Sequence, residues 1–93
     1  MMNWSLDYTK DFQKDFSKLD KRIQIMITVW IEKHLLQTSN PRVYGKALVG
    51  PLKGLWRYRI GDYRLIAKIK DNKITIVLLN VGHRSDVYDN LSK

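Results

Sequence analysis

The chain contains no cysteine among its 93 residues. Disulfide bonds and thiolate chemistry are therefore excluded, and a reducing compartment is permitted. No apolar stretch reaches the roughly 18–20 residues that a membrane-spanning helix needs. The opening segment MMNWSLDYTKDF lacks both the basic and the apolar region of a secretory signal peptide. The sequence therefore predicts a cytoplasmic protein with no membrane span.

Acidic residues are few compared with basic ones. The chain has 9 Asp and Glu residues against 17 Lys and Arg residues, which gives a formal net charge of +8. In so small a chain this balance favours binding to nucleic acid, to an acidic protein or to a membrane surface. A cationic surface that serves only solubility is the alternative. The length and the 44% hydrophobic content predict one domain over residues 1–93, with enough apolar residues for a core.

Apolar residues that recur with helical spacing predict two helices in the N-terminal half of the chain. The first is expected to start after the capping residue Thr9 and to end near Lys18. The second is expected to be capped by Asp20 and to end near Gln37. A short strand over Asn3–Asp7 precedes both helices.

Strands are expected in the C-terminal half. The segment Thr38–Gly54 leads into this half of the chain. Its Pro and Gly residues predict turns rather than regular structure. Alternating apolar and polar residues then predict three strands with tight turns at Gly61-Asp62 and Asp71-Asn72: Leu55–Ile60, Tyr63–Lys70 and Lys73–Val81. The closing segment Ser85–Leu91 is either a short helix or an irregular tail. The order β-α-α-β-β-β predicts an α+β fold, in which a small antiparallel sheet packs two N-terminal helices on one face.

The expected strand registers divide the sheet into two unlike faces. One face is almost entirely apolar and should pack against the helices: Trp56, Tyr58, Ile60, Tyr63, Leu65, Ala67, Ile69, Ile74, Ile76 and Leu78. The other face is apolar in the middle, basic at one end and expected to be open: Arg57, Arg59, Arg64, Ile66, Lys68, Thr75, Val77, Leu79 and Val81. A slip of one residue would exchange the two sets.

Arginines gather at the Gly61-Asp62 turn. A two-residue turn there pairs Ile60 with Tyr63 and sets Arg59 directly opposite Arg64. Arg57 lies two residues back on the same face, about 6–7 Å along the strand. Like charges on one face of a hairpin repel each other and weaken the sheet. The pattern therefore favours binding of an anion, and the phosphate of a nucleic acid is the obvious candidate.

The segment after the last strand adds groups suited to phosphoryl transfer on RNA. If the strand continues in register, His83 and Arg84 arrive near the arginine end of the open face. Cleavage by a neighbouring 2′-hydroxyl needs a base for that hydroxyl and charge stabilisation at the phosphate. Arginine can stabilise charge but hardly deprotonates, whereas His83 belongs to the residue type that titrates near neutrality. One histidine among scattered aspartates forms no metal-ligand set, so we expect neither a metal nor another cofactor.

Two motifs then reveal a resemblance to a known family. The hairpin LWRYRIGDYRLIAKI and the later VGHRSDVY resemble the RelE toxins of the RelE/ParE superfamily, over nearly the whole chain. The resemblance implies a toxin that enters the ribosomal A site and cleaves the bound mRNA without a metal, leaving a 2′,3′-cyclic phosphate. It also implies two partners, the 70S ribosome with its mRNA and a cognate acidic antitoxin, with which the toxin can form a heterotetramer.

The resemblance also implies roles for individual residues. Arg64 and Arg84 match the family arginines that bind the scissile phosphate, and Tyr88 matches the tail tyrosine that stacks on a base or orients the nucleotide. Arg57 and Arg59 stand where the best-known members carry two lysines. We expect these two arginines to hold flanking phosphates and the role of base to pass to His83. Two lysines of the Thr38–Gly54 segment are expected to contact ribosomal RNA: Lys46 and Lys53.

Other interpretations remain open at this point. A ParE-like inhibitor of DNA gyrase would share the fold without nuclease activity, although such relatives tend to end in His-Gly-Arg-Arg-Asp rather than Gly-His-Arg-Ser-Asp. A module that binds RNA or a partner after losing its catalytic groups would also fit the lysine-to-arginine changes. Individual residues have structural alternatives too. Arg64 could pair with Asp62 or with the chain terminus, His83 could cap the strand end, and Tyr88 could pack on the sheet edge.

Overall fold

The order of apolar and polar residues produces two helices and a five-stranded mixed sheet. The structure, a computed structural model, describes residues 4–87. The sheet has the strand order β1-β5-β4-β3-β2, and β1 runs parallel to β5 while every other pair is antiparallel. The predicted α+β class is confirmed, but the prediction of a wholly antiparallel sheet is wrong at β1. The elements are β1 (Ser5–Tyr8), α1 (Lys10–Ser17), α2 (Lys21–Ile31), β2 (Gly45–Ala47), β3 (Trp56–Ile60), β4 (Tyr63–Lys70) and β5 (Thr75–His83).

Both helices pack on one face of the sheet, as their apolar spacing predicts. Phe12 of α1 and Ile27 and Ile31 of α2 are buried against the sheet. Burial of a side chain of this size stabilises the fold by roughly 1.5–3 kcal/mol. The core residues that the strands contribute are Tyr58, Ile60, Leu65, Ala67, Ile76, Leu78 and Val81.

The helix ends follow the sequence only in part. Thr9 caps α1 as predicted, because its Oγ accepts a hydrogen bond from the Phe12 N–H at 3.1 Å. Asp20 occupies the capping position of α2 but makes no side-chain capping bond to any described residue, so that prediction is wrong in detail. The second helix then continues as one π-helical turn over Glu32–Leu36, close to the predicted end.

The segment Thr38–Gly54, predicted to contain only turns, includes the short edge strand β2. Its three residues pair with β3 so that Gly45 faces Tyr58, and Lys46 faces Arg57. A 3-10 turn over Gly50–Leu52 follows, within the segment where turns were predicted. A three-residue strand without alternation carries too little pattern to be read from sequence.

The last strand is displaced from its predicted limits. A 3-10 turn over Asp71–Lys73 replaces the two-residue turn, and Ile74 adopts a left-handed φ of 47°, so it lies outside the strand to which it was assigned. The strand then runs two residues beyond Val81, to His83.

A β-bulge in β5 reverses the facing of the residues that follow it. Ile66 pairs with Asn80 but its neighbour Ala67 pairs with Leu78, which leaves Leu79 as the extra residue. Val81 therefore turns to the helix side and joins the core, where it is 3% exposed. Its assignment to the open face is wrong, because one inserted residue inverts the alternation of all later ones.

Helix α1 stabilises the bulged edge of β5 where β1 no longer covers it. The Thr9 Oγ donates to the Leu79 carbonyl at 3.1 Å. The Asp15 carboxylate accepts from the Val81 N–H at 3.1 Å and from the Asn80 side-chain amide at 3.2 Å. The side chains of the cap residue Thr9 and of Asp15 in α1 thus take the place of a neighbouring strand for these groups.

Replacing Asp15 with alanine should lower the free energy of unfolding by about 1.5–3 kcal/mol, because hydrogen bonds to a charged acceptor are lost at a part-buried strand edge. Urea denaturation measures the change. Asp11→Ala is the control, since Asp11 is an exposed carboxylate in the first turn of the same helix. Its replacement should lower the free energy of unfolding by less than about 1 kcal/mol. Equal losses in the two variants would contradict the role given to Asp15.

The face away from the helices is less open than the sequence predicts. Ile66 is 0% exposed, although its register places it on that face. Val87 is buried as well, and a Cβ built on Gly82 would lie 3.8 Å from the Val87 Cβ. Because Gly82 pairs with Arg64, Val87 covers this face beside the arginines.

Tyr58 anchors the segment before β2 to the sheet. Its hydroxyl donates to the Pro41 carbonyl at 2.7 Å, and its ring packs 5.7 Å from the Trp30 ring. Burial raises the pKa of Tyr58 to about 12, while the positive charge of Arg42 opposes the shift. The phenol therefore stays neutral in the folded protein at pH values where it would ionise in the unfolded chain.

The unfolding free energy should fall between about pH 10 and pH 12 by roughly 2–3 kcal/mol through Tyr58 alone. A folded-state pKa above the unfolded one means that this stabilisation is complete below pH 10 and is lost as the pH rises through 12. Urea midpoints across this range measure the fall. Tyr58→Phe should flatten this part of the profile, because the variant lacks the phenol. Parallel profiles of the two proteins would disprove the assignment.

Candidate functional site

The hairpin between β3 and β4 has the predicted register. Gly61 adopts a φ of 59°, which a two-residue hairpin turn requires of its first central residue. Ile60 pairs with Tyr63, and Arg59 pairs with Arg64. Together with the pairing of Lys46 to Arg57, these registers place four cations on the side of the sheet away from the helices. We call this surface the arginine face: Lys46, Arg57, Arg59 and Arg64.

Arg64 is the most enclosed cation of the arginine face. It is 8% exposed, and its Nη1 donates to the carbonyls of Gly61 and Tyr63, each at 2.9 Å. These bonds hold the guanidinium against the turn. Both of these partners are backbone carbonyls, whereas the structural alternatives from the sequence were a pair with Asp62 or with the chain terminus, which lies outside the described residues.

The other three cations of the arginine face are more accessible. Arg57 is half-buried, whereas Arg59 and Lys46 are exposed. Directly opposed residues have Cβ atoms about 4.5–5.5 Å apart, so the positive charges of Arg59 and Arg64 repel each other. A doubly charged or bridging anion would relieve that repulsion, and forked guanidinium groups match the geometry of a phosphate.

The β5 bulge decides where His83 and Arg84 lie. The strand reaches the arginine end of the sheet as expected, but His83 pairs with Tyr63, and its ring lies 5.7 Å from the Tyr63 ring in an edge-on arrangement. The His83 side chain therefore lies on the helix side of the sheet at the strand end. The prediction that it lies on the open face is wrong. The Arg84 N–H donates to the Asp62 carbonyl at 2.8 Å, which ties exposed Arg84 to the hairpin turn.

Among the predicted site residues that the structure describes, Lys53 is not brought to the turn. Lys53 is exposed in the loop that leads into β3, at the end of that strand remote from Gly61. Tyr88 lies outside the described residues. Across residues 4–87 there is no group of three His, Cys, Asp or Glu side chains able to hold a metal ion. In the same range, none of the helices is both long and apolar enough to span a membrane.

Sequence reasoning missed two neighbours of His83. Ser85 Oγ lies 2.8 Å from the His83 Nδ1, and Asp86 follows in the same turn, its N–H bonded to the His83 carbonyl at 2.8 Å. A hydroxyl residue two positions after a histidine at a strand end was the available signal, because short polar side chains at that spacing favour local bonds.

The family to which this chain belongs follows from its match to a known model. The model for the ParE toxin of type II toxin–antitoxin systems (parDE) matches residues 6–88. The chain is therefore a member of this toxin family, within the RelE/ParE superfamily.

Relatives with known names and structures support the same placement. Toxin RelG of Mycobacterium tuberculosis is 33% identical over 87 residues, which cover 94% of this chain and 98% of RelG. The RelBE2 toxin–antitoxin complex of the same organism contains a chain with a TM-score of 0.76 and 29% identity, covering 89% of this chain and 100% of that one. The isolated RelE toxin of E. coli shares the fold, with a TM-score of 0.70, 22% identity and coverage of 96% and 95%.

Proposed function

We propose that this toxin is a ribosome-dependent endoribonuclease that cleaves mRNA in the A site without a metal ion. The observation that carries the proposal is the pairing of Arg59 with Arg64 beside the Gly61-Asp62 turn, to which the Arg84 backbone is bonded. Two opposed arginines, with the Arg84 backbone tied to the same turn, suit a phosphate and its neighbours on a strand of RNA.

The proposed reaction is a transesterification at one phosphodiester. The 2′-hydroxyl gives its proton to a base, the O2′–P bond forms, and the P–O5′ bond breaks. The products are a 2′,3′-cyclic phosphate and a 5′-oxygen that takes a proton from water. Charge accumulates on the phosphate oxygens in the transition state, so Arg64 and Arg84 would stabilise it more than the ground state.

The remaining residues have supporting roles in this proposal. We assign the role of base to His83, the last residue of β5 and the neighbour of Arg84 in the chain, because histidine is the residue type suited to proton transfer near neutral pH. Arg57 and Arg59 hold flanking phosphates, Lys46 and Lys53 contact ribosomal RNA, and Tyr88 orients the nucleotide. No cofactor is required.

A cognate acidic antitoxin is the proposed protein partner. Solved structures of relatives include the RelBE2 complex above and an archaeal RelE–RelB complex from Pyrococcus horikoshii, which has a TM-score of 0.68 to this chain. Carboxylates of such a partner would compete with phosphate for the arginine face. We propose that toxin and antitoxin meet in the cytoplasm, where the ribosomes are, and assemble as a heterotetramer.

Primer extension on a defined mRNA tests the function. The wild-type protein should produce cuts with programmed 70S ribosomes and none with free mRNA, in buffers without divalent metal beyond what ribosomes need. His83→Ala should weaken the cuts sharply. Absence of cleavage by wild-type protein under all these conditions would reject the endonuclease proposal.

Inhibition of DNA gyrase is the second candidate, favoured by the name of the matching family model, ParE toxin. A supercoiling assay with purified gyrase separates the two functions. Inhibition of supercoiling without mRNA cleavage would select gyrase as the target. Ribosome binding without either activity would select a module that has lost its catalytic groups.

A further inference from the structure

His83 belongs to a short hydrogen-bonded chain that the proposed reaction has not yet used. Its Nδ1 lies 2.8 Å from Ser85 Oγ, and Ser85 Oγ lies 3.3 Å from Asp86 Oδ1 in donor geometry. The bond from the Asp86 N–H to the His83 carbonyl closes the turn that holds these three side chains together. The bond from the Arg84 N–H to the Asp62 carbonyl fixes the turn to the hairpin.

The direction of the bond at Nδ1 determines what His83 can do. Asp86 carries a carboxylate, which only accepts, so a Ser85 hydroxyl bonded to it donates its hydrogen to Asp86. The Ser85 oxygen is then an acceptor toward His83, and Nδ1 carries the ring proton. Nε2 is left with a lone pair, which is the state that a base for a 2′-hydroxyl requires.

The backbone of Ser85 opposes this state. The Ser85 N–H also approaches Nδ1, at 3.2 Å, and a bond there requires Nδ1 to be an acceptor with the proton on Nε2. The hydroxyl contact is 0.4 Å shorter, the difference between 3.2 and 2.8 Å. The side chains of Ser85 and Asp86 therefore compete with a backbone donor for control of the ring.

We propose that Ser85 and Asp86 are positioning residues that keep the proton of neutral His83 on Nδ1, so that Nε2 can take the proton of the 2′-hydroxyl. When Nε2 gains that proton, the imidazolium still donates from Nδ1 to Ser85, and the Asp86 carboxylate stabilises its charge through the hydroxyl. The kinetic part of this inference depends on the proposed nuclease function, whereas the tautomer part does not.

The tautomer is measured by long-range ¹H–¹⁵N correlation spectra of ring-labelled protein at about pH 8.5, where imidazole groups are neutral. His83→Gln assigns the signals. His34 is an internal reference, because its Nδ1 lies 3.1 Å from the Trp30 carbonyl, which can only accept. His83 of the wild-type protein should show the same Nδ1–H form. Ser85→Ala leaves only the backbone donor at Nδ1 and should reverse the population to Nε2–H, whereas Ser85→Thr should keep the wild-type form.

Cleavage kinetics give the second measurement. Ser85→Ala and Asp86→Asn should each slow ribosome-dependent cleavage about 10–100-fold at saturating toxin, with an unchanged half-saturating toxin concentration. Ser85→Thr should restore the rate, and Ser85→Ala should cause no further loss in a His83→Ala background. Wild-type His83 in the Nε2–H form, or a Ser85→Ala variant with normal tautomer and rate, would overturn this inference. Wild-type protein that does not cleave would instead overturn the proposed function and leave the spectra to decide the tautomer.

Discussion

Replacing Arg64 with alanine should slow ribosome-dependent mRNA cleavage about 10²–10³-fold, the usual loss when one fixed donor to a developing negative charge is removed. Its guanidinium is already held by the Gly61 and Tyr63 carbonyls, so little reorganisation is needed when phosphate charge develops. Single-turnover primer extension at saturating toxin measures the rate of the chemical step. A slower rate with an unchanged half-saturating toxin concentration would show that Arg64 stabilises the transition state rather than the bound ground state.

The control must separate catalysis from folding, because Arg64 is buried and also clamps the turn. Arg64→Lys keeps the charge but loses the planar guanidinium with its paired donors. This variant should recover only part of the cleavage rate. Urea denaturation of both variants shows how much of each is folded under assay conditions. A fully folded Arg64→Ala variant that cleaves within about threefold of wild type would contradict the role of Arg64 in stabilising charge.

Gly45→Ala should destabilise the sheet, with a loss of about 1–3 kcal/mol of unfolding free energy. A Cβ on Gly45 would lie 2.8 Å from the Tyr58 Cε1 and 3.3 Å from the Trp56 Cε3. The Tyr58 ring cannot move aside easily, because it is 0% exposed and its hydroxyl is bonded to the Pro41 carbonyl. Overpacking of this kind forces shifts in the backbone of β2 or in the ring.

Gly82→Ala is the matched control, since it adds the same methyl group to another strand of the same sheet. Within residues 4–87, the atoms that a Cβ on Gly82 would meet are the Val87 Cβ and Cα, at 3.8 and 4.0 Å, which is ordinary contact. Its stability should therefore stay within about 0.5 kcal/mol of wild type. Thermal or urea unfolding of the two variants side by side measures the difference. Equal stability would mean that Tyr58 yields to the added methyl group at no cost.

Long, regularly patterned elements were predictable from the sequence. The β3–β4 hairpin has its predicted register, because Gly61 supplies the turn conformation and alternation leaves one pairing that buries Tyr58 and Leu65 together. The first helix and its Thr9 cap were equally predictable. By contrast, the β2 strand and the pairing of β1 with β5 depend on contacts between distant segments, which local pattern does not contain.

The candidate site was predictable only as far as the hairpin. The opposition of Arg59 and Arg64 follows from the turn alone, and the structure has it. The position of His83 does not follow, because it depends on the bulge at Leu79. That bulge is stabilised from α1, where Asp15 accepts the displaced Val81 N–H. A bulge stabilised by a residue on another element leaves no local signal. One inserted residue therefore moved Val81 and His83 to the helix side together.

The parallel pairing of β1 with β5 has a consequence for how the toxin is made. The Thr9 hydroxyl and the Leu79 carbonyl that it contacts are 70 residues apart in the chain. During synthesis, β1 and the start of α1 remain without their partner strand until β5 has left the ribosome. Such long-range pairing is slow to form, so the nascent toxin exposes part of its apolar core until late in translation. An antitoxin already present in the cell could bind the chain during that interval, before the toxin has finished folding.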